Sequence, residues 1–223
     1  MINVVAFVTK SFDDLDGLKE SWTSSAERED LAREFEGWDP VLGKLIQCME
    51  PSPGKWRLND REPLSQWSFM DGKIVLLGDA AHAMLPHQGS TPSFPIYSSH
   101  KLTNRPTGSG AGHAIEDCYI LGRALHDYFN PPISTSPAPT KLSTWTQIYQ
   151  DVRLPRAQKA QITSRQAGDL YELQGPLFDN LSYDECLPII AEKISGRMKW
   201  VWGGDIDAEY DAVVAKTFGA GVA

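Results

Sequence analysis

Two rhythms of apolar positions alternate along this chain. Helical spacing appears first after Ser24-Ser25-Ala26-Glu27, whose Ser-x-x-Glu pattern predicts a capping box, with Leu31 and Phe35 on the face that follows. Gly37 ends that segment, and Asp39-Pro40 offers an N-cap with proline at the first helical position. Val41, Leu42, Leu45, Ile46 and Met49 make the next apolar face, stopped by Pro51, Pro53 and Gly54. From Gly112 to about Tyr128, the residues Ala114, Cys118, Leu121 and Leu125 recur at helical intervals, with Glu116 and Asp117 set against the N-terminal dipole. Trp145, Ile148, Tyr149 and Val152 mark a further helical face. Pro155 interrupts it or begins a new helix, and the pattern continues from Ala157 to about Leu173.

The second rhythm is short and extended. Met1-Ile2-Asn3-Val4-Val5-Ala6-Phe7-Val8 reads as a strand, and Trp56-Arg57-Leu58 as a brief one. Trp67 precedes the Asp71-Gly72 turn, and Lys73-Ile74-Val75-Leu76-Leu77 is a continuous apolar run between glycines, the pattern of a buried strand in a parallel sheet. Pro131 to Thr140 is rich in Pro, Ser and Thr, a surface loop between two helical blocks. The tail from Ile194 holds Trp200, Trp202 and the turn Gly203-Gly204-Asp205, and no internal repeat is visible. Strands alternating with helices make the class α/β, or α+β for a partial domain.

Composition narrows the function classes. The 223 residues carry 21 Lys+Arg against 29 Asp+Glu, a formal charge of −8, which speaks against a nucleic-acid groove. With 41% hydrophobic, 22% charged and 10% aromatic residues, the chain can bury a core. Cys48, Cys118 and Cys186 are too widely spaced for a CxxC motif and odd in number, which fits a reducing, cytoplasmic setting. No run approaches the roughly 20 apolar residues of a membrane span, and the apolar opening lacks a basic lead-in and a cleavage site. A chain that starts directly in a buried-looking strand reads as part of something longer.

The candidate chemistry follows the apolar run. Gly78-Asp79-Ala80-Ala81-His82-Ala83-Met84-Leu85-Pro86-His87-Gln88-Gly89 stands at a strand's carboxyl end, where open α/β sheets place ligands, and Asp79 can accept hydrogen bonds from ligand hydroxyls. Gly108-Ser109-Gly110-Ala111-Gly112 then opens a helix, where free N–H groups and the positive dipole end favour an electron-rich ligand. The same residues also read as turn chemistry, with Asp79 a cap and His82 an interior histidine.

Gly-Asp-Ala-Ala-His-Ala-Met-x-Pro, followed by Gly-x-Gly-x-Gly and Ala-Ile-Glu-Asp, resembles the second flavin-binding motif of the single-component FAD-dependent aromatic hydroxylases, the salicylate hydroxylase-like group. The resemblance extends to Trp22-Thr23, to Asp60-Arg61-Glu62-Pro63-Leu64 before Trp67, to Arg153-x-Pro155-Arg156-Ala157, to Ser164-Arg165 and to Gly168-x-Leu170-Tyr171. It implies a partial FAD-binding Rossmann-like domain with a remnant of the substrate-domain sheet and C-terminal helices. Residues 1–66 would end the substrate domain, 67–130 would be the C-terminal part of the FAD-binding domain, and 131–223 the loop and C-terminal helices. It also implies a monooxygenase: FAD, reduced by NADH or NADPH, activates O2 to hydroxylate a small aromatic substrate, while the protein orients the cofactor and excludes water. By position, Asp79 would hydrogen-bond the ribityl chain, Pro86 would lie beside the isoalloxazine near its C4a, and Gly110, Ala111 and Gly112 would offer N–H groups to its pyrimidine end, with Gly78 and Gly89 also among the cofactor-binding residues. No catalytic residue is assigned beyond this.

Two features depart from the group. Its Gly-x-Gly-x-x-Gly turn for the ADP half of FAD is absent, as is its middle motif. And the group runs Pro-His-Gln-Gly-x-Gly-Ala-Gly unbroken, whereas here Gly89-Ser90 and Gly108-Ser109 stand nineteen positions apart. Removing nineteen residues restores Pro-His-Gln-Gly-Ser-Gly-Ala-Gly. The intervening segment has no periodicity and three prolines, and its length is a whole number of codons, as a retained short intron requires; Gly-Ser-Thr is encodable through GTAGTA and Leu-Thr-Asn through CTAAC. Such an insertion is expected to untie Pro86 from Gly110 and to leave flavin affinity weak or nil.

Alternatives follow from the same residues. A non-catalytic fragment acting by association is one; a dehydrogenase built on Gly108-x-Gly110 is another, disfavoured because a Pro-rich stretch instead of a strand precedes it. His82, His87 and His113 lack ligand partners at metal spacing, and Ser90 and Ser109 form no nucleophile elbow. Arg153, Arg156, Lys159 and Arg165 read as a solvated helix face. Trp56, Trp67, Trp145, Trp200 and Trp202 read as core.

Overall fold

The computed structural model describes residues 4–10, 24–90, 107–130 and 141–219; the side chains of Gly89, Ser90 and 107–109 are not among what it describes. Trp22-Thr23, the bulk of the inserted segment and Pro131–Thr140 thus lie outside the described residues. The chain divides into two compact units, Met1–Leu58 and Asn59–Ala223.

In the first unit, α1 (Arg28–Glu34) is followed by α2 (Pro40–Gln47). α2 starts as the sequence predicts: Asp39 accepts the Val41 N–H at 2.8 Å, with Pro40 at the first helical position. The capping box expected at Ser24 does not form. The helix begins one turn later, after Glu27, because the Ser24 hydroxyl is taken by the Lys55 carbonyl and the chain there runs extended beside residues 51–55. Ala26 and Arg28 donate their N–H groups to Pro53 and Pro51, each at 3.0 Å, and the Arg28 guanidinium reaches the Gln47 and Met49 carbonyls at the end of α2. Val4–Lys10 is not a strand, nor is Trp56–Leu58. The expected strands find no ladder partner among the described residues, and Val5 and Trp56 remain about half exposed.

The second unit begins with a hairpin. β1 (Ser68–Phe69) pairs antiparallel with β2 (Ile74–Val75) in the register Ser68↔Val75 and Phe69↔Ile74. Met70, Asp71 and Gly72 turn through left-handed backbone, and Gly72 is required there: a Cβ would lie 2.6 Å from Thr146 Oγ1. The buried parallel strand expected over 73–77 is therefore a short antiparallel one. Its only described neighbour is β1, so Ile74 and Leu77 stay substantially exposed.

After α3 (Asp79–His82) and the paired strands β3 (Gly89–Ser90) and β4 (Thr107–Gly108) come α4 (Ser109–Phe129) and α5 (Leu142–Tyr171). α6 (Tyr183–Ile194), α7 (Lys199–Trp202) and α8 (Ile206–Phe218) complete the unit. α5 packs on α4 and α8 and runs unbroken through Pro155. Burial of Trp145, Ile148, Tyr149 and Val152 on one side of the proline, as expected, and of Ala157 and Ala160 on the other, offsets the lost N–H. Trp67, Ile120, Ala124, Ile206, Tyr210 and Val214 close the core around them. A smaller cluster joins Leu170 and Phe178 to Cys186 of α6. Asp205 caps α8 at Ala208 N, 3.0 Å, and the Glu185 carboxylate accepts both the N–H and the hydroxyl of Ser182 ahead of α6.

The face of α4 that packs inward differs from the expected one. Cys118 is exposed, and Ala114, Leu121 and Leu125 are only half-buried. Among the described side chains His113, Glu116, Asp117, Ile120 and Ala124 are the buried ones, so two carboxylates take the place that hydrophobicity assigns to neighbours. Of the tryptophans, Trp67 and Trp145 are core, whereas Trp56 and Trp202 are exposed. The described part is mostly helical with two short antiparallel pairs. None of its helices is long and apolar enough to cross a membrane.

Candidate flavin-edge site

The site is assembled where β2 gives way to α3. Gly78 adopts φ +58°, ψ −142°, open to glycine alone, and its N–H turns inward to Asp117 Oδ2 at 2.8 Å. Its carbonyl accepts the N–H groups of Ala81 and His82, both at 2.8 Å, which closes the single turn of α3. Asp79, the next residue, faces outward and is exposed. Gly110 stands beside it: a Cβ built there would be 3.8 Å from Asp79 Oδ1, and one built on Gly78 would be 3.5 Å from Ala114 Cβ. Asp79 thus stands beside Gly110 in the first turn of α4, which Ala111 and Gly112 continue. The first N–H groups of that helix lack intrahelical acceptors.

The insertion does not untie this arrangement. Gly89 pairs with Gly108 and Ser90 with Thr107, so the ends of the added segment meet side by side and Gly110 follows two residues beyond the junction. At the ends of the added segment an antiparallel pair stands where the uninterrupted motif has a short turn.

Pro86 itself is exposed, on a loop between α3 and β3 that is fastened to α5. Gln161 Nε2 donates to the Ala83 carbonyl at 3.0 Å, and the Ser164 hydroxyl donates to the Leu85 carbonyl. Gln88 Nε2 donates to Thr163 O at 2.9 Å while Thr163 Oγ1 donates back to Gln88 Oε1 at 3.0 Å. At Gly168 the helix has no side chain, and His87 fills the space; a Cβ there would sit 2.8 Å from the His87 ring. Burial lowers the His87 pKa, against the raising charges of Glu172 and Asp169.

Beneath the loop lies a buried charge network. Arg153, fully buried, donates from Nε to Asp117 Oδ1 at 2.8 Å, from Nη1 to Glu116 Oε2 at 2.6 Å and from Nη2 to the His113 carbonyl at 3.1 Å. Arg156 reaches Glu116 through Nε at 2.9 Å and through Nη2 at 3.0 Å, and lies against Gly204. His82 Nε2 is 2.6 Å from Asp117 Oδ2. Burial pushes the Glu116 carboxyl up, but hydrogen bonds from His113 and Arg156 and the two guanidinium charges hold it well below the ordinary carboxylate range. Asp117 shows the same balance, with the His82 hydrogen bond and the Arg153 charge outweighing burial. His113 is depressed by burial, in spite of its hydrogen bond with Glu116.

His82 is therefore an interior histidine, held by Asp117. Arg153 and Arg156 are not on a solvated face, because two carboxylates of α4 neutralise them in the core. Sequence reasoning missed these four charges. The available signal was positional: Arg153, Arg156 and Ala160 share one helical face with Val152 and Ala157, and Glu116 shares one with Ile120 and Ala124. Arg165 is an outer version, pairing with Asp60 at 2.9 Å and Glu62 at 2.7 Å, while Arg61 caps the Ala80 carbonyl.

A scan against protein-family models finds no match. Among curated proteins, a salicylate hydroxylase of Pseudomonas putida is 35% identical over 215 residues, covering 94% of this chain and 41% of the relative. A 6-methylsalicylate 1-monooxygenase of Aspergillus terreus is 29% identical over 192 residues, covering 84% of this chain and 34% of that protein. A solved salicylate hydroxylase substrate complex superposes with a TM-score of 0.63 at 30% identity, over 87% of this chain and 39% of that one. This chain is thus a relative of the salicylate hydroxylase-like FAD-dependent aromatic monooxygenases, and it spans about two fifths of the length of those it matches.

Proposed function

We propose that this chain forms the isoalloxazine side of the FAD site of an aromatic monooxygenase acting on a small aromatic substrate with NADH or NADPH and O2. The observation that carries the reading is the exposed Asp79 carboxylate set beside Gly110 at the opening of α4, on a Gly78 whose conformation aims its own N–H away from the site.

These residues fit the flavin end of FAD. Asp79 is an acceptor for ribityl hydroxyls, Gly110 leaves the space beside it clear, and the N–H groups of Gly110, Ala111 and Gly112 suit an edge that gains negative charge on reduction. Gly78 and Gly89 shape the backbone on either side, and the loop carrying Pro86 would shield one face from water. When bound and reduced, FAD supplies the oxygen activation that hydroxylates an aromatic ring. In this reading residues 67–130 are the C-terminal part of a Rossmann-like FAD-binding domain, 1–66 the end of the substrate domain, and 131–223 its C-terminal helices. The sequence holds no Gly-x-Gly-x-x-Gly turn for the ADP half.

That asymmetry gives the test. A site for the flavin end alone binds FMN and FAD with affinities within about threefold of each other, because the added nucleotide finds no seat. Asp79→Ala weakens both by about tenfold, the loss of charged hydrogen bonds to the ribityl chain. Titrations read by visible flavin absorbance decide it. If the chain perturbs neither flavin, the alternative of a non-catalytic fragment acting by association replaces this reading.

A further inference from the structure

α5 carries a row of polar side chains whose partners all belong to the strand–loop–helix motif or its approaches. Starting at its N-terminal end, Thr146 Oγ1 accepts from Ser68 Oγ at 2.9 Å, and Gln150 Oε1 accepts the N–H groups of Trp67 and Ser68 at 2.7 and 3.1 Å. The Tyr149 hydroxyl donates to the Leu76 carbonyl at 2.9 Å. Arg153 then holds Asp117, which holds the Gly78 N–H. Further along, Gln161 takes the Ala83 carbonyl, Ser164 the Leu85 carbonyl, and Gly168 admits the ring of His87. Positions 153, 157, 161, 164 and 168 follow one face of a helix. Gln161 and Ser164 are buried, where an unmade hydrogen bond is costly.

We propose that α5 is the positioning element of the candidate flavin loop, with Gln161 and Ser164 fixing the path of residues 83–88 and so the placement of Pro86. Neither residue is catalytic; both act through backbone carbonyls of the loop. The functional consequence rests on the flavin reading above, whereas the fastening itself does not. The arrangement also accounts for the burial of Gln161 and Ser164 on a helix whose other buried polar side chains, Thr146, Gln150, Arg153 and Arg156, are taken by Trp67, Ser68 and the carboxylates of α4: these two address the loop.

Two readouts on the full chain separate the two levels. Native-state digestion with thermolysin, mapped by mass spectrometry, reports opening of the loop at Met84 and Leu85. Ser164→Ala and Gln161→Met each raise cleavage there about 5- to 30-fold, the equivalent of one or two lost buried hydrogen bonds, while cleavage within α4 and α5 changes less than about twofold. Ser164→Thr, which keeps the hydroxyl, restores the parent rate; if its extra methyl prevents folding, the Gln161→Met result stands by itself. Equal acceleration in loop and helices, or no change in the loop, overturns the proposal. The second readout is FMN titration. Ser164→Ala and Gln161→Met each weaken binding about tenfold, and either one opening the loop without weakening a flavin-binding parent also overturns it. A parent that binds no flavin removes the reading of function but leaves the digestion to decide the positioning role.

Discussion

Two arginines of α5 each meet a pair of carboxylates, one in the interior of the second unit and one at its surface. Arg153 meets two carboxylates with no exposure, whereas Arg165 meets two at the surface with its side chain about two fifths exposed. The consequences of removing each differ accordingly. Arg153→Met strands Glu116 and Asp117 in the core and lowers the unfolding free energy by about 3–5 kcal/mol; Arg165→Met costs under about 1 kcal/mol. Urea denaturation followed by tryptophan fluorescence measures both, and equal losses would contradict the assignment of Arg153 as the keystone. Acid acts on the same network. Glu116 and Asp117 have depressed pKa values when folded, so their contribution is complete above the free carboxyl value of about 4 and is lost as pH falls below it. His113 is depressed as well, so the unfolded chain takes up its proton first and stability already declines below about pH 6.5. The thermal midpoint therefore falls in two stages on the acid side, and His113→Gln removes much of the upper one. A midpoint flat from pH 7 to pH 4 would refute this.

At the scale of elements, legibility in the sequence followed hydrophobic periodicity and failed where charge replaced it. α2 was readable from Asp39-Pro40 and α4 from its glycine-rich start, and the inward face of α5 from Trp145 to Val152 was placed correctly. The site motif was legible as a spacing, since Asp79 and Gly110 do meet. The network beneath it was not, because a buried Arg–carboxylate pair looks in sequence like two solvated residues until their partners are known. The strands failed for another reason: an apolar run such as 73–77 states that it is to be covered but not by what, and here its partner is β1, just before it across the Met70–Gly72 turn. The nineteen-residue insertion belongs at this scale too. Its base is paired, Gly89 against Gly108, so its removal leaves two chain ends already side by side. Deleting Ser90 through Gly108 joins Gly89 to Ser109, keeps the helical circular dichroism, and leaves stability within about 1 kcal/mol of the parent or above it. Loss of cooperative unfolding in that variant would show that the segment is structural.

For the molecule as a whole, the unequal distribution of core decides what can stand alone. In Met1–Leu58, Ile46 is the buried apolar side chain among the described residues. The described residues of this segment bury too little apolar surface to offset chain entropy by themselves. In Asn59–Ala223 the clusters around Trp67, Trp145 and Tyr210 and around Leu170 and Phe178 are built from that unit's own residues, as are the charge network and every residue of the candidate site. Expressed separately, residues 59–223 should therefore show one cooperative thermal transition, the emission of buried tryptophan and the parent's affinity for FMN, and residues 1–58 should show the circular dichroism of an unfolded chain. The comparison of FMN affinity is the sharper half, because it asks about the site and not only the scaffold. A 59–223 chain that folds yet loses flavin binding would place part of the flavin site in the first unit and would require the assignment of Asp79 and α4 to be extended there.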